Sequence, residues 1–202
     1  DELLRGLEEA TSEYMLSIPN IASDDVPDGA DDSGNVVIYE EGERYTYDFE
    51  PKLHYELSES LGITDFERGA KISGRMFYVL GENGARLQRA LITYMIDLHR
   101  EKHGYSERGV PFLVLQQSMV GSSNLPKFAD ALYHDDEENL WLVPTAEVPL
   151  TNLHRDEILE PGTLPLKYMA WTPCFRKERA AAGSQVRGLK RVHQFEKVEM
   201  YK

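Results

Sequence analysis

Two residues of strong chemical character, Arg176 and Glu178, sit two positions apart at the end of an apolar run, Tyr168 to Phe175. In an extended strand, positions two apart share a face. A second run, His193 to Tyr201, places Phe195, Lys197 and Glu199 at alternate positions, so these also share a face. An Ala/Gly/Ser-rich connection with basic residues separates the runs. The pattern predicts strand, long loop, strand: a β-hairpin. One sheet surface would then carry a guanidinium, two carboxylates and an aromatic ring. Arginine forks onto phosphate or carboxylate oxygens, and a carboxylate accepts from an amino group. That set suits a nucleotide bound beside a zwitterion. Taken alone, an Arg-x-Glu pair on a strand is a surface ion pair worth under ~1 kcal/mol, and Phe195 is a core residue.

The order of the motifs says more than any one of them. F-R-x-E at Phe175 to Glu178, then a loop, then R-G-L-x-R-x-H-Q-F-x-K-V-E at Arg187 to Glu199, resembles motif 2 of the class II aminoacyl-tRNA synthetases in its seryl form. Thr145-Ala146-Glu147, followed by Val148-Pro149-Leu150-Thr151-Asn152-Leu153, is similar to the serine-binding T-x-E segment of that family. The resemblance runs from about Ile18 to Lys202.

The resemblance implies an α+β fold, a mainly antiparallel β-sheet flanked by helices. It implies ATP-dependent ligation of L-serine to tRNA(Ser) through a seryl-adenylate. Arg176 is the implied catalytic residue, touching the α-phosphate and the attacking carboxylate. Arg176, Lys177 and Glu178 are the implied ATP-binding residues of the first strand, with Glu178 receiving the adenine amino group. Phe195 stacks on adenine, and the backbone of Val192 meets it. Thr145, Ala146, Glu147 and Glu199 are the implied serine-binding residues. Mg2+ is expected to accompany ATP, with no metal ligand recognisable in this chain. The sequence departs from the family in the motif 2 loop. Arg179-Ala180 stands where Ala-Gly is usual, and Gly183-Ser184-Gln185-Val186-Arg187-Gly188-Leu189 replaces G-R-D-T-R-G-L. In the family that loop reaches the acceptor end of tRNA, so the departures bear on transfer more than on adenylate formation. Two other readings share these residues: a paralogue without the tRNA-gripping arm that activates an amino acid for a carrier protein, and a non-catalytic dimerisation or binding module.

Other elements must position these groups. Leu87, Leu91, Ile92, Met95 and Leu98 form one stripe of a helix over Ala85 to Lys102. A buried strand, Gly109 to Leu115, follows and is opened by Pro111. Periodicity alone gives a core helix, but residues 85–115 also resemble motif 1, which builds the dimer interface in the family, so a homodimer is expected. Leu140 to Pro144 reads as a strand that delivers Thr145 at its end, and a helix is expected over Pro149 to His154. His54 precedes a short helix, Tyr55 to Leu61, and reads as a surface residue.

The chain divides into three parts. Residues 1–15 form a helix that resembles the end of the family's N-terminal arm. Residues 16–50 are an acidic linker with a hairpin, Val36 to Tyr39 pairing with Tyr45 to Tyr47. Residues 51–202 match the catalytic core up to motif 2. The sequence stops before the motif 3 region, so the chain is expected to be part of a longer synthetase and not to complete catalysis alone.

The net charge of −13 argues against nucleic acid only until its distribution is considered. Residues 1–50 hold 15 acidic and 2 basic side chains, which accounts for all of it. Residues 172–202 hold 8 Lys or Arg against 3 Glu, the local basic excess that phosphate contact requires. One cysteine, Cys174, excludes an intrachain disulfide framework and a Cys-rich metal site. It reads as a buried thiol. No apolar stretch approaches the ~20 residues of a membrane span, so a cytoplasmic protein with no membrane partner is expected.

Overall fold

The computed structural model describes residues 1–178 and 188–202. It contains two compact units, Asp1–Pro51 and Lys52–Lys202. In the first, the leucine spacing produces helix α1 (Glu2–Ser17), with Glu2 in the first turn and no buried residue. The hairpin expected over residues 36–47 does not form. Apart from a 3-10 turn at Asp32–Gly34, residues 18–51 carry no helix or strand. Apolar alternation specifies a strand only where one face is buried; here Ile38 is 93% exposed.

The second unit opens with α2 (His54–Ser60), where the Glu56 carboxylate accepts from the Leu53 N–H at 3.0 Å. Strands β1 (Thr64–Asp65) and β2 (Val79–Leu80) pair antiparallel around α3 (Phe66–Ser73). Helix α4 spans Glu82–His103. A Cβ at Gly84 in its first turn would lie 2.4 Å from the Ile63 carbonyl oxygen, so this glycine is a point of close approach to the segment before β1. The predicted stripe of α4 is only partly covered. Ile92, Met95 and Leu98 are half-buried, while Leu87 and Leu91 are about half exposed.

Next come β3 (Ser106–Glu107), β4 (Leu113–Leu115), α5 (Gln116–Gly121), β5 (His134–Asp135), β6 (Leu140–Leu142) and α6 (Glu147–Thr151). The chain ends in the long pair β7 (Tyr168–Phe175) and β8 (Gln194–Tyr201). β7 and β8 are antiparallel with Tyr168 opposite Tyr201 and Phe175 opposite Gln194, and β3 adds in parallel on the other edge of β7. A second sheet has the order β4-β6-β5, all antiparallel. Strand β4 is shorter than expected and buried on one face only: Val114 is buried, Leu113 and Leu115 half exposed. An antiparallel edge strand needs just one covered face.

Two core clusters bracket the end of β6. Val143 and Val148 pack with Val114, Met119, Leu125, Leu132 and Trp141. Ala146 and Leu150 pack with Ala170 of β7. The Phe175 N–H donates to the Val143 carbonyl at 3.0 Å, joining the end of β7 to the end of β6. Thr145 and Arg176 are thereby held beside each other. Among the described residues no helix is long and apolar enough to cross a membrane.

Candidate active site

Thr145 is the best-fixed polar residue of the site. It is buried (7% exposed) on the turn between β6 and α6, with core residues on either side. Its hydroxyl donates to Glu199 Oε2 at 2.6 Å. It accepts from Lys197 Nζ at 2.6 Å and from the Glu147 N–H at 3.2 Å. Lys197 and Glu199 also form an ion pair. Both stand on the same face of β8, as period-2 alternation requires, with Phe195 next along that face. Helix α6 begins earlier than expected, at Glu147, and that N–H is one of the N-terminal donors with no partner inside the helix, here taken up by Thr145.

Arg176 lies just past the end of β7, not within it. Its N–H donates to the His193 carbonyl at 3.0 Å, continuing the hairpin pairing by one step. Its guanidinium sits 5.0 Å from the centre of the Phe195 ring, and Nε points to the Pro144 carbonyl at 3.4 Å. His193 Nδ1 is 2.9 Å from the Arg176 carbonyl. The same nitrogen is 3.0 Å from the Tyr133 hydroxyl, which can donate or accept.

The expected shared strand face of Arg176 and Glu178 is not found, because β7 stops at Phe175 and Glu178 adopts φ +30. Glu178 is instead aligned by Arg191, whose Nη1 donates to Oε2 at 3.1 Å. The glutamate side chain is 13% exposed and the arginine 58%. Arg176, Glu178, Arg191, Thr145 and Pro144 line a cleft of about 640 Å³, large enough for a nucleotide-sized ligand.

The remaining predicted site residues divide. The Lys177 N–H is tied to the Ala131 carbonyl at 2.9 Å and its ammonium lies over the Tyr133 ring. Val192 is buried. Ala146 is fully buried in the second core cluster, where it shapes the turn and offers no side-chain polar group. The Glu147 side chain is exposed, so its backbone enters the Thr145 cluster and its carboxylate does not. Residues 179–187, with the Arg179-Ala180 departure, lie outside the described residues. Sequence reasoning put Lys197 on the shared strand face but gave it no site role, and it left out Arg191. Alternation on β8 was the available signal for Lys197; nothing local marked Arg191 as the partner of Glu178.

Two further groups border this surface. Glu196, on the opposite face of β8, accepts from Trp171 Nε1 at 2.8 Å. Burial pushes its carboxyl above the usual range, partly offset by that hydrogen bond. Cys174 is fully buried, and burial pushes its thiol up.

Residues 128–202 match the tRNA synthetase class II core domain of the G, H, P, S and T enzymes. The chain is 62% identical over 188 residues to the serine–tRNA ligase of Thermomicrobium roseum, covering 93% of this chain and 42% of that protein. It is 56% identical over 199 residues to that of Dehalococcoides mccartyi, covering 98% and 48%. This chain is a homologue of the seryl-tRNA synthetases. Its fold is theirs too. The seryl-tRNA synthetase from Pyrococcus horikoshii complexed with ATP superposes with a TM-score of 0.91 at 37% identity, covering 98% of this chain and 49% of that one. The cytoplasmic serine–tRNA ligase of Naegleria fowleri in complex with AMP gives 0.86 at 30% identity, covering 98% and 47%. The chain thus spans about half the length of the synthetases it matches.

Proposed function

We propose that the protein carrying this chain ligates L-serine to tRNA(Ser), with ATP consumed to form a seryl-adenylate first. One observation carries the reading: Thr145, Lys197, Glu199, Phe195 and Arg176 share one continuous surface, within a chain 55–62% identical to serine–tRNA ligases.

The chemistry asks little of a base. The serine carboxylate is already an anion when it attacks the α-phosphate, and pyrophosphate leaves with the electron pair. Placement and neutralisation of phosphate charge do the rest. Arg176 is suited to this, being always charged, planar and able to bridge two oxygen groups. In this reading Phe195 supports the adenine ring under that guanidinium, Glu178 accepts the adenine amino group, and the Val192 backbone borders it. Glu199 and Thr145 take the serine ammonium, beside the Ala146–Glu147 turn. Lys177 acts at the phosphate side of the cleft.

Magnesium would arrive with the ATP phosphates. Glu178 and Glu199 are already held by Arg191 and Lys197, and among the described residues no cluster of three or more His, Cys, Asp or Glu forms a metal site. The half-exposed Leu87 and Leu91, with Tyr94 at 62%, support a homodimer through α4. Translation would place the protein in the cytoplasm. The test is serine-dependent exchange of pyrophosphate into ATP, followed by charging of tRNA(Ser), with the full-length protein. Exchange driven by another amino acid, or none, would overturn the reading.

A further inference from the structure

We propose that His54 is a positioning residue that holds the segment from Gly188 to Arg191 against the nucleotide cleft. The Leu189 N–H donates to His54 Nε2 at 3.0 Å across 135 positions of sequence. A backbone N–H can only donate, so Nε2 accepts and the ring is the neutral tautomer with its hydrogen on Nδ1. Gly188 adopts φ +95, and a Cβ there would lie 2.1 Å from Nε2. Only glycine admits the ring at this distance and the backbone at this angle.

The contact lies at one end of a short tether. At the other end the His193 N–H donates to the Met76 carbonyl at 3.1 Å. Between them Arg191 reaches Glu178, and Val192 is buried. Glu178 and Arg191 both line the cleft. Glu178 also sits at a positive φ that a non-glycine residue adopts only when its surroundings hold it. His54 therefore acts on the cleft through Arg191: releasing Leu189 frees the backbone that carries the guanidinium aligning Glu178. The nucleotide's identity rests on the synthetase reading; the clamp itself does not.

Three variants of the full-length protein separate the possibilities. His54→Gln places an acceptor oxygen where Nε2 stands. His54→Asn keeps a polar amide too short to reach Leu189, and His54→Leu removes the acceptor. Loss of one backbone hydrogen bond should speed hydrogen exchange at the Leu189 amide about fivefold to tenfold in His54→Asn and His54→Leu, with His54→Gln near wild type. In serine-dependent pyrophosphate exchange the ATP KM should rise by a similar factor in the same two variants, with serine KM unmoved. Unchanged amide exchange in His54→Asn would overturn the clamp, as would a His54→Gln that behaves like His54→Leu. Faster amide exchange with an unmoved ATP KM would overturn the positioning role. If wild type catalyses no serine-dependent exchange, the synthetase reading fails while the amide measurement still decides the clamp.

Discussion

Thr145 and Glu199, 54 positions apart, are joined by a 2.6 Å hydrogen bond that fixes both groups. The Thr145 hydroxyl has one hydrogen and two lone pairs, and Glu199, Lys197 and the Glu147 N–H use all three. Its rotor therefore has one arrangement. Lys197 supplies one cation to the one anion of Glu199, so the cluster is neutral before any substrate arrives. A substrate ammonium entering here must share the carboxylate with Lys197.

Thr145→Val removes the hydroxyl at nearly constant volume and leaves Lys197 and Glu199 paired. Losing a hydrogen bond to a charged group costs about 1.5–3 kcal/mol, or a rise of roughly 10- to 100-fold in serine KM. The ATP KM should move little. Glu199→Gln should raise serine KM at least as much, because Lys197 is left without its anion. Steady-state pyrophosphate exchange at varied serine and varied ATP checks both, and equal shifts in the two KM values would refute the assignment.

Arg176→Lys tests whether geometry or charge matters at the reacting phosphate. Lysine keeps the cation and loses the planar fork and its stacking on Phe195. A preorganised donor at a developing charge is worth about 10²–10³ in rate, so kcat should fall by roughly that factor in Arg176→Lys. Rapid-quench measurement of adenylate formation reads the step directly. A fall under about tenfold would mean that charge alone suffices.

Much of this arrangement was legible in the sequence because the hairpin strands are long and alternate cleanly. The β7–β8 pair and the common face of Phe195, Lys197 and Glu199 follow from period-2 reading alone. The placement of Arg176 and Glu178 did not follow, because where a strand stops depends on its partner's register. Cys174 opposite Phe195 and Phe175 opposite Gln194 are the last pairs. The Val36–Tyr47 hairpin was misread for the converse reason: local alternation was present, but among the described residues none covers it. Arg191 on Glu178 and His54 on Leu189 are tertiary contacts that local sequence pattern does not announce.

Cys174 reports on the integrity of the hairpin. Its sulfur is fully buried and its thiol is pushed up by burial, so the thiolate needed for alkylation or disulfide exchange is scarce. In native buffer Ellman's reagent should label it only as fast as the sheet opens, with immediate labelling in denaturant. Rapid native labelling would contradict the packing of β7.

Gly188→Ala should destabilise the second unit by about 1–2 kcal/mol from the left-handed backbone alone, with a further cost from the collision with His54. Combining it with His54→Ala removes the collision and leaves the backbone cost. The double variant should therefore be less unstable than the sum of the single variants, as residues in contact require. Urea denaturation of the four proteins measures this coupling, and strict additivity would show that the ring does not occupy the space beside Gly188.

Glu196 sets a pH dependence whose sign can be stated. Its folded-state pKa is raised by burial, so over the window from the ordinary glutamate value upward to the raised one the folded chain binds more protons than the unfolded chain. Stability then falls as pH rises through that window. Asp65 has the opposite effect, since the Arg68 backbone N–H and guanidinium hold its carboxyl below the usual range; its contribution is lost as pH falls through that depressed value. Glu196→Gln keeps an acceptor for Trp171 Nε1 and abolishes the charge. The stability of Glu196→Gln relative to wild type should grow as pH rises from about 4 and then level off once Glu196 is ionised in both states. Asp65 is common to both proteins and cancels in this difference. Thermal unfolding across the acidic to neutral range checks it, and a difference that is flat or shrinks with rising pH would refute the burial-driven shift.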